Sequence, residues 1–333
     1  MIALNYVLTK LKLTIMRCKP LYLLAHNLMA VVRYIKLTIL KIITLFFQLI
    51  ELISTSKSLK ACKFDSFIGN YVVTQSGMEN YLVSTSDKVI GRALYVRGEF
   101  DFNKFIDVWE LSGLNSSEKA VTLIDIGANI GSIGIPAVMR GYAERCIAFE
   151  PEPLNAKLLK INIILNDLED KIDVFQVALG NKEGEVFFEL SDSNYGDHRV
   201  RLGEPLEGRY GEQNRKTISV PMRTLNEYLN CIDEGASLIW MDTQGFEGYV
   251  LKGADRFLKY RIPLVLEFWP YGLKRSDSYK LLLESLEKSE YKHFINLNSD
   301  DKDKVSLSRK SLDMLSTELE LVHEDHFTDI LVL

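Results

Sequence analysis

A few acids and a spaced set of glycines carry the most chemistry in this chain. Asp125 closes the run Val121–Ile126 (VTLIDI), and Gly127, Gly131 and Gly134 follow it. The β-branched apolar run reads as a buried strand, and the apolar segment Ile133–Met139 reads as a helix. A strand, a glycine turn and a helix let bare backbone meet a nucleotide-like ligand. Dinucleotide sites use G-x-G-x-x-G, which seats a pyrophosphate on the helix start. Here the spacing is G-x-x-x-G-x-x-G, with Ala128 and Asn129 where a second glycine would fall. Asp125 would also set a negative charge against a pyrophosphate. S-adenosyl-L-methionine suits the site better, because it has no phosphate and offers an ammonium, a sulfonium and a ribose diol.

The second apolar run, Arg145–Phe149, ends in Glu150-Pro151-Glu152-Pro153. An acid at the end of the second strand is placed to grip a ribose diol, since one carboxylate can accept both hydroxyl protons. Pro151 would offer its ring to an adenine face. Asp125 is expected to bind the ammonium directly or through water, with Gly127, Asn129 and Gly131 around the methionine part. Ala178, at the end of a third run (Ile172–Ala178), completes the expected cofactor-binding set. A hydroxyl acceptor is a weak nucleophile and gains from a general base. Asp242, at the end of the run Ser237–Met241, is the first candidate for that base. His198, in the polar stretch Asn194–Arg201, is the second. Glu267, before the aromatic cluster Phe268-Trp269-Pro270-Tyr271, is expected to line the acceptor pocket. Arg199 and Arg201 are candidates for holding an anionic acceptor. Glu247 reads as a helix-start charge. No spacing demands a metal.

The chain that must position these groups has 333 residues, enough for one large α/β domain with additions, and 47% of them are hydrophobic. A net charge of -5 argues against a nucleic-acid partner. Cys18, Cys62, Cys146 and Cys231 are scattered, which indicates neither zinc nor a disulfide framework and fits a reducing cytoplasm. Residues 1–60 differ from the rest, with seven Lys and Arg ahead of the first acid, Glu51, and long apolar runs between them. These runs fall short of the roughly 20 residues a membrane span needs. The segment reads either as a basic interfacial arm touching the inner face of a membrane through residues 20–53, or as a helical arm packed on the main domain or on a second copy in a homo-oligomer. Residues 61–119 read as a cap, with strands at Asn70–Thr74, Tyr81–Ser84 and Val89–Val96, a helix at Phe102–Leu111 and a polar linker at Asn115–Lys119. Ser191–Lys216 reads as a long polar loop, either functional or disordered. Strands alternating with helices from Val121 onward, with Lys292–Leu297 and Thr328–Leu333 as closing strands around a charged loop, give a doubly wound, mostly parallel sheet.

The segments LIDIGANIGSIG, IAFEPEPLNAKLLKINIILN, FQVALGNKEGEV, VPMRTLNEYL, WMDTQGFEGYVLKGA and IPLVLEF together resemble the FkbM family of S-adenosylmethionine-dependent methyltransferases. The resemblance runs from about Val121 to Phe268 and makes 120–333 an FkbM-like domain. It implies a Rossmann-like, mostly parallel seven-stranded sheet with a reversed last strand, preceded by an N-terminal helical and β extension. It also implies O-methylation of a sugar, polysaccharide or related hydroxyl compound. The family's fourth-strand motif usually reads D-x-E-G-x-E, whereas here a neutral Gln244 stands in place of its first glutamate. A non-catalytic cofactor-binding subunit of an envelope-biosynthesis assembly is the alternative from another class. An NAD-dependent oxidoreductase is a third, disfavoured by Asp125 and the missing glycine.

Overall fold

The structure is a computed structural model that describes residues 31–32, 34–45, 56–67, 69–116, 120–204, 207–231 and 236–333. Most of the expected N-terminal arm (1–30, 33, 46–55) and part of the expected linker (117–119) lie outside these residues. The chain divides into two compact units, Met1–Lys60 and Ala61–Leu333. In the first, residues 34–45 are helical and exposed.

The second unit is built on an eight-stranded sheet. In chain order its elements begin with helix α1 (Lys57–Asp65), which enters from the first unit, then the hairpin β1 (Tyr71–Ser76) and β2 (Glu79–Ser84), α2 (Ile90–Arg97) and α3 (Phe102–Leu111). Then come β3 (Thr122–Ile126), α4 (Gly134–Met139), β4 (Arg145–Phe149), α5 (Pro153–Ile164), β5 (Ile172–Phe175), β6 (Ala178–Leu179), β7 (Gly184–Glu189), β8 (Arg199–Arg201) and β9 (Thr217–Arg223). The chain ends with β10 (Ser237–Met241), α6 (Glu247–Lys252), β11 (Leu264–Phe268), α7 (Pro270–Arg275), α8 (Tyr279–Glu287), β12 (His293–Asn296), β13 (Lys304–Ser306), α9 (Arg309–Val322) and β14 (Thr328–Val332). The sheet order is β13-β12-β14-β11-β10-β3-β4-β5. From β5 through β11 all pairs are parallel, while β14 runs antiparallel to both β11 and β12. The reversed strand is therefore present, and the sheet has one strand more than the expected seven because Lys304–Ser306 pairs with β12 at the edge.

The strands read as continuous apolar runs because both faces of the sheet are covered. Ile124, Ile126, Ile239, Met241, Leu264 and Leu266 pack on one face against α6, α8 and α9. Leu123, Cys146, Ala148, Leu238, Trp240 and Val265 pack on the other against the hairpin, α2, α3, α4 and α5. Cys146 is a fully buried small hydrophobe in this second core.

Three expectations are corrected. Val89–Val96 is a helix and not a strand, because Ile90, Ala93 and Leu94 bury one helical face. The buried Asp87 accepts the Val89 and Gly91 N–H groups at the helix start. Gly98, at φ 82°, ends the helix. The charged loop near the C-terminus contains β13 and α9, the latter capped by a Ser308–Ser311 box and anchored by Leu312, Leu315 and Leu319. The third strand stops at Phe175, and Ala178 belongs instead to a second sheet of order β6-β9-β7-β8. That sheet also takes part of the expected long loop, since Arg199–Arg201 pairs with β7.

Candidate functional site

The site lies at the carboxyl ends of β3, β4 and β10, where a doubly wound sheet presents its ligand crevice. Gly127 and Ala128 donate to the Phe149 carbonyl, and Asp242 N–H donates to the Ile126 carbonyl, so the glycine turn is stitched to the strands on both sides. Gly127 sits at φ 86°, and a Cβ there would collide with the Asp242 carbonyl oxygen. Only glycine satisfies both demands. Asn129 takes the left-handed conformation at φ 50°, with its side-chain oxygen accepting from Ile130 N–H. Its side-chain amide donates to the Tyr195 carbonyl, as does that of Asn155 at the start of α5.

These turns wall a cavity at the carboxyl ends of the strands. Asp125, Gly127, Asn129, Glu150, Pro151, Ala178, His198 and Asp242 all line it. Two expected residues do not. Gly131 faces the core, where the space of its missing Cβ is taken by Ile135 and Leu159. Glu267 is buried behind Gln244 and does not reach the cavity wall. Sequence reasoning missed Ile90, Phe100 and Asp101 from the cap, and Asn155 and Tyr195. Their placement depends on long-range packing that leaves no local pattern.

Asp125 is 2% exposed, and its Oδ2 has no hydrogen-bond partner among the described residues. Burial pushes its pKa up to about 7 against one opposing bond from Gly134 N–H. Glu150 is 4% exposed and accepts Asn129 N–H on Oε2 and Glu152 N–H on Oε1, both at 2.8 Å. Burial nevertheless raises its pKa to about 8. A buried acid without a counter-charge suits a cationic or hydroxyl-bearing ligand, which supplies the donors the protein lacks. The donor set therefore fits an ammonium at one end and a diol at the other.

Asp242 is half-buried, and its Oδ1 accepts from the Gln244 side-chain amide at 2.8 Å. The same amide nitrogen lies 3.2 and 3.1 Å from the two Glu267 oxygens. Burial drives Asp242 up to about 7, and the nearby acids Asp329 and Glu247 add to the rise. Burial, and then Asp242, raise Glu267 well above the carboxylate range. Glu247 is fully buried, and its Oε1 accepts from Thr243 N–H, Thr243 Oγ1 and Gly245 N–H. It therefore straps the turn after β10, a more specific task than complementing a helix dipole. One oxygen from each of Asp242, Glu247 and Glu267 falls within 4.8 Å of the others, with the Gln244 amide bridging two of these acids.

His198 is 9% exposed, and its ring lies beside those of Tyr195 and Phe188. Its Nδ1 accepts from Ser191 N–H at 3.0 Å. Burial first, then the positive Arg215, lower its pKa to about 4. Arg199 is not available to an anionic acceptor. It pairs with Asp197 and, at 3.0 Å, with Glu212, and its guanidinium lies 4.7 and 4.6 Å from the Tyr210 and Trp269 ring centroids. Arg201 is held by Glu189 at 3.0 Å and by the Glu212 carbonyl.

A family model described as the methyltransferase FkbM domain matches residues 125–299. NoeI, a 2-O-methyltransferase of Sinorhizobium fredii (strain NBRC 101917 / NGR234), is 29% identical over 146 residues. That match spans 41% of this chain and 58% of the relative, so the chain matches little more than half the length of that protein. Among solved structures, the methyltransferase FkbM from Methylobacillus flagellatus KT is similar at 17% identity and a TM-score of 0.37, over 74% of this chain and 55% of that one. M. jannaschii TYW2 in complex with AdoMet is similar at 12% identity and a TM-score of 0.38, over 80% of this chain and 86% of that one.

Proposed function

The chain belongs to the FkbM methyltransferase family, and from that premise we propose that it moves a methyl group from S-adenosyl-L-methionine to a hydroxyl oxygen of a saccharide or related metabolite. Membership brings S-adenosyl-L-methionine as the cofactor and removes the oxidoreductase alternative. The observation that carries the reading is the gathering of Asp125, Glu150 and Asp242 on one cavity at the ends of three adjacent strands.

When bound, the cofactor supplies an electrophilic sulfonium methyl, which becomes an ether carbon as the sulfur is left a neutral thioether. The residues do the rest. Glu150 accepts the two ribose hydroxyl protons on lone pairs left over from its backbone bonds. Asp125, below Gly127 and Asn129, takes the ammonium. Pro151 and Ala178 flank the adenine with Val177 and Leu179. Asp242 orients the acceptor hydroxyl and receives its proton on the oxygen not bonded to Gln244. Holding two bound molecules in line is worth roughly 7–11 kcal/mol in effective molarity, and a placed base adds about 10²–10⁴-fold. A second cleft of about 460 Å³ shares Val200 and Gln244 with the first and supports a place for the acceptor's remaining bulk. NoeI, a 2-O-methyltransferase, supports an oxygen atom as the methyl acceptor.

Peripheral contact with an anionic membrane through residues 20–53, at the cytoplasmic face, is part of the proposal. Between residues 34 and 45 the described helix exposes Tyr34, Ile35, Leu37, Ile39, Leu40, Ile42, Ile43 and Leu45, with Lys36 and Lys41 as its charges. Among the described residues no helix is long and apolar enough to cross a membrane.

The test is incubation of the full chain with methyl-tritiated cofactor and a panel of oligosaccharides and methyl glycosides. The expected result is label in an O-methyl sugar after acid hydrolysis, lost with Asp242→Asn. Cofactor binding with no label in any saccharide would favour the non-catalytic subunit.

A further inference from the structure

His198 has so far been a candidate base, and its hydrogen bonding bears on that role. A backbone N–H can be met only by a ring nitrogen with a free lone pair, never by a ring carbon or by an N–H. The Ser191 N–H at 3.0 Å therefore fixes both the ring orientation and the lone pair on Nδ1. A neutral imidazole has one proton, and with Nδ1 accepting it must sit on Nε2. His198 lines the cavity, so a bound molecule that meets Nε2 meets a donor. To act as a base His198 would have to gain a proton on Nδ1, which would break the Ser191 bond and place a cation against the positive Arg215.

We infer that His198 is a permanently neutral hydrogen-bond donor, offering Nε2–H to a lone pair of the molecule bound in the cavity and taking no proton during transfer. The groups around it agree. Arg215 is engaged with Asp197, Arg199 with Asp197 and Glu212, and Arg201 with Glu189, so no carboxylate of this cluster is left over to stabilise an imidazolium. The acids across the cavity, Asp101, Asp125, Glu150 and Asp242, act on the bound molecule. The depressed pKa of His198 has the same causes, burial and Arg215. The lone pair belongs either to the cofactor or to an oxygen of the methyl acceptor, and the two sources are separable. The inference rests on the cavity being the ligand site and not on the identity of the acceptor.

Nitrogen-15 NMR of the full chain in its ligand-free state tests the tautomer directly. The other described histidines, His293, His323 and His326, are exposed. His198 is identified by the resonance lost in His198→Gln. We expect its proton on Nε2 and no titration between about pH 5.5 and about 8, the span over which an ordinary histidine loses its charge. A proton on Nδ1, or a titration inside that span, overturns the inference and restores His198 as a base. Should His198→Gln fail to fold, Ser191→Pro removes the single N–H that fixes the ring, and the resonance that alone begins to titrate is His198. Calorimetry with S-adenosylhomocysteine then locates the lone pair. An affinity about 2- to 12-fold weaker in His198→Leu, recovered in part by His198→Gln, assigns it to the cofactor. Unchanged affinity in both variants assigns it to the acceptor.

Discussion

A single side-chain amide governs the charge at the reacting end of the cavity. Gln244 sends its two N–H bonds to Asp242 and to Glu267 but brings no positive charge. Burial and their mutual repulsion raise the proton affinity of both linked acids, Glu267 behind the amide and Asp242 on the cavity wall. Asp242 titrates near 7, so its anionic, proton-accepting form grows as the pH passes that value. Methyl transfer should therefore rise with pH through about 7. Asp242→Asn should cost about 10²–10⁴-fold in turnover while the cofactor dissociation constant holds. Gln244→Glu replaces the donor with a third acid, so the rise should move to higher pH with cofactor affinity unaltered, as read from the pH profile. Asp242 was legible in the sequence as an acid at a strand end. Its partners were not, because Gln244 reaches Glu267 from a left-handed backbone (φ 54°) and the bond spans 23 positions. Gln244 stands where the motif has its first glutamate, and an acid, Glu267, reaches it from the neighbouring strand β11. Arg199 shows the converse. A basic residue in a polar stretch reads as a free ligand for an anion, and here the tertiary fold buries it beside two rings and pairs it with two acids.

The glycine turn is held from outside the sheet by the β1–β2 hairpin and α5. Tyr81 donates its hydroxyl to the Gly131 carbonyl at 3.3 Å. Asn162, fully buried on α5, accepts from Leu82 N–H at 2.7 Å and donates to the Ile130 carbonyl at 3.0 Å. One turn further on, Asn166 exchanges two bonds with the Asn80 backbone. The cap therefore supports the cofactor turn directly, and a loss in one is felt in the other. Asn162→Leu fills a similar volume but leaves a buried N–H and a buried carbonyl unpaired, at about 1–3 kcal/mol for each group left unsatisfied. Denaturant unfolding should show that loss, and cofactor binding should weaken with it. Gly127→Ala should abolish cofactor binding, because its methyl meets the Asp242 carbonyl whatever the side chains do. At this scale the sequence was most legible where burial on two faces wrote unbroken apolar runs, as in β3, β4, β10 and β11. It was least legible where β-branched residues lie in a helix, as in α2, and where a helix shows one narrow apolar stripe among charges, as in α9. The Asn162–Asn166 ladder left no trace, since asparagines at the close of a helix read as its ordinary end.

Across the whole molecule, the unusual quantity is the number of protons the fold retains on acids. Asp125, Glu150 and Asp242 titrate near 7, 8 and 7, each well above its unfolded value, because burial disfavours the anion. A raised carboxyl pKa means that the folded chain binds more protons than the unfolded chain between about pH 4 and about 8. Stability from this source is complete below the unfolded pKa values and is lost as pH climbs through the folded ones. The melting temperature of the ligand-free chain should fall across that window, and Glu150→Gln should flatten the slope. The bound cofactor reverses the balance. An ammonium against Asp125 favours its anion, and ribose hydroxyls donating to Glu150 favour its anion too. Binding near pH 7 should therefore expel protons. Titration calorimetry in two buffers of different ionisation enthalpy measures the number released per cofactor bound. Asp125→Asn should reduce that number as well as the affinity, whereas Asp242→Asn, whose carboxylate is assigned to the acceptor hydroxyl, should reduce neither by as much. A binding reaction with no proton release would mean that these two acids do not hold the cofactor.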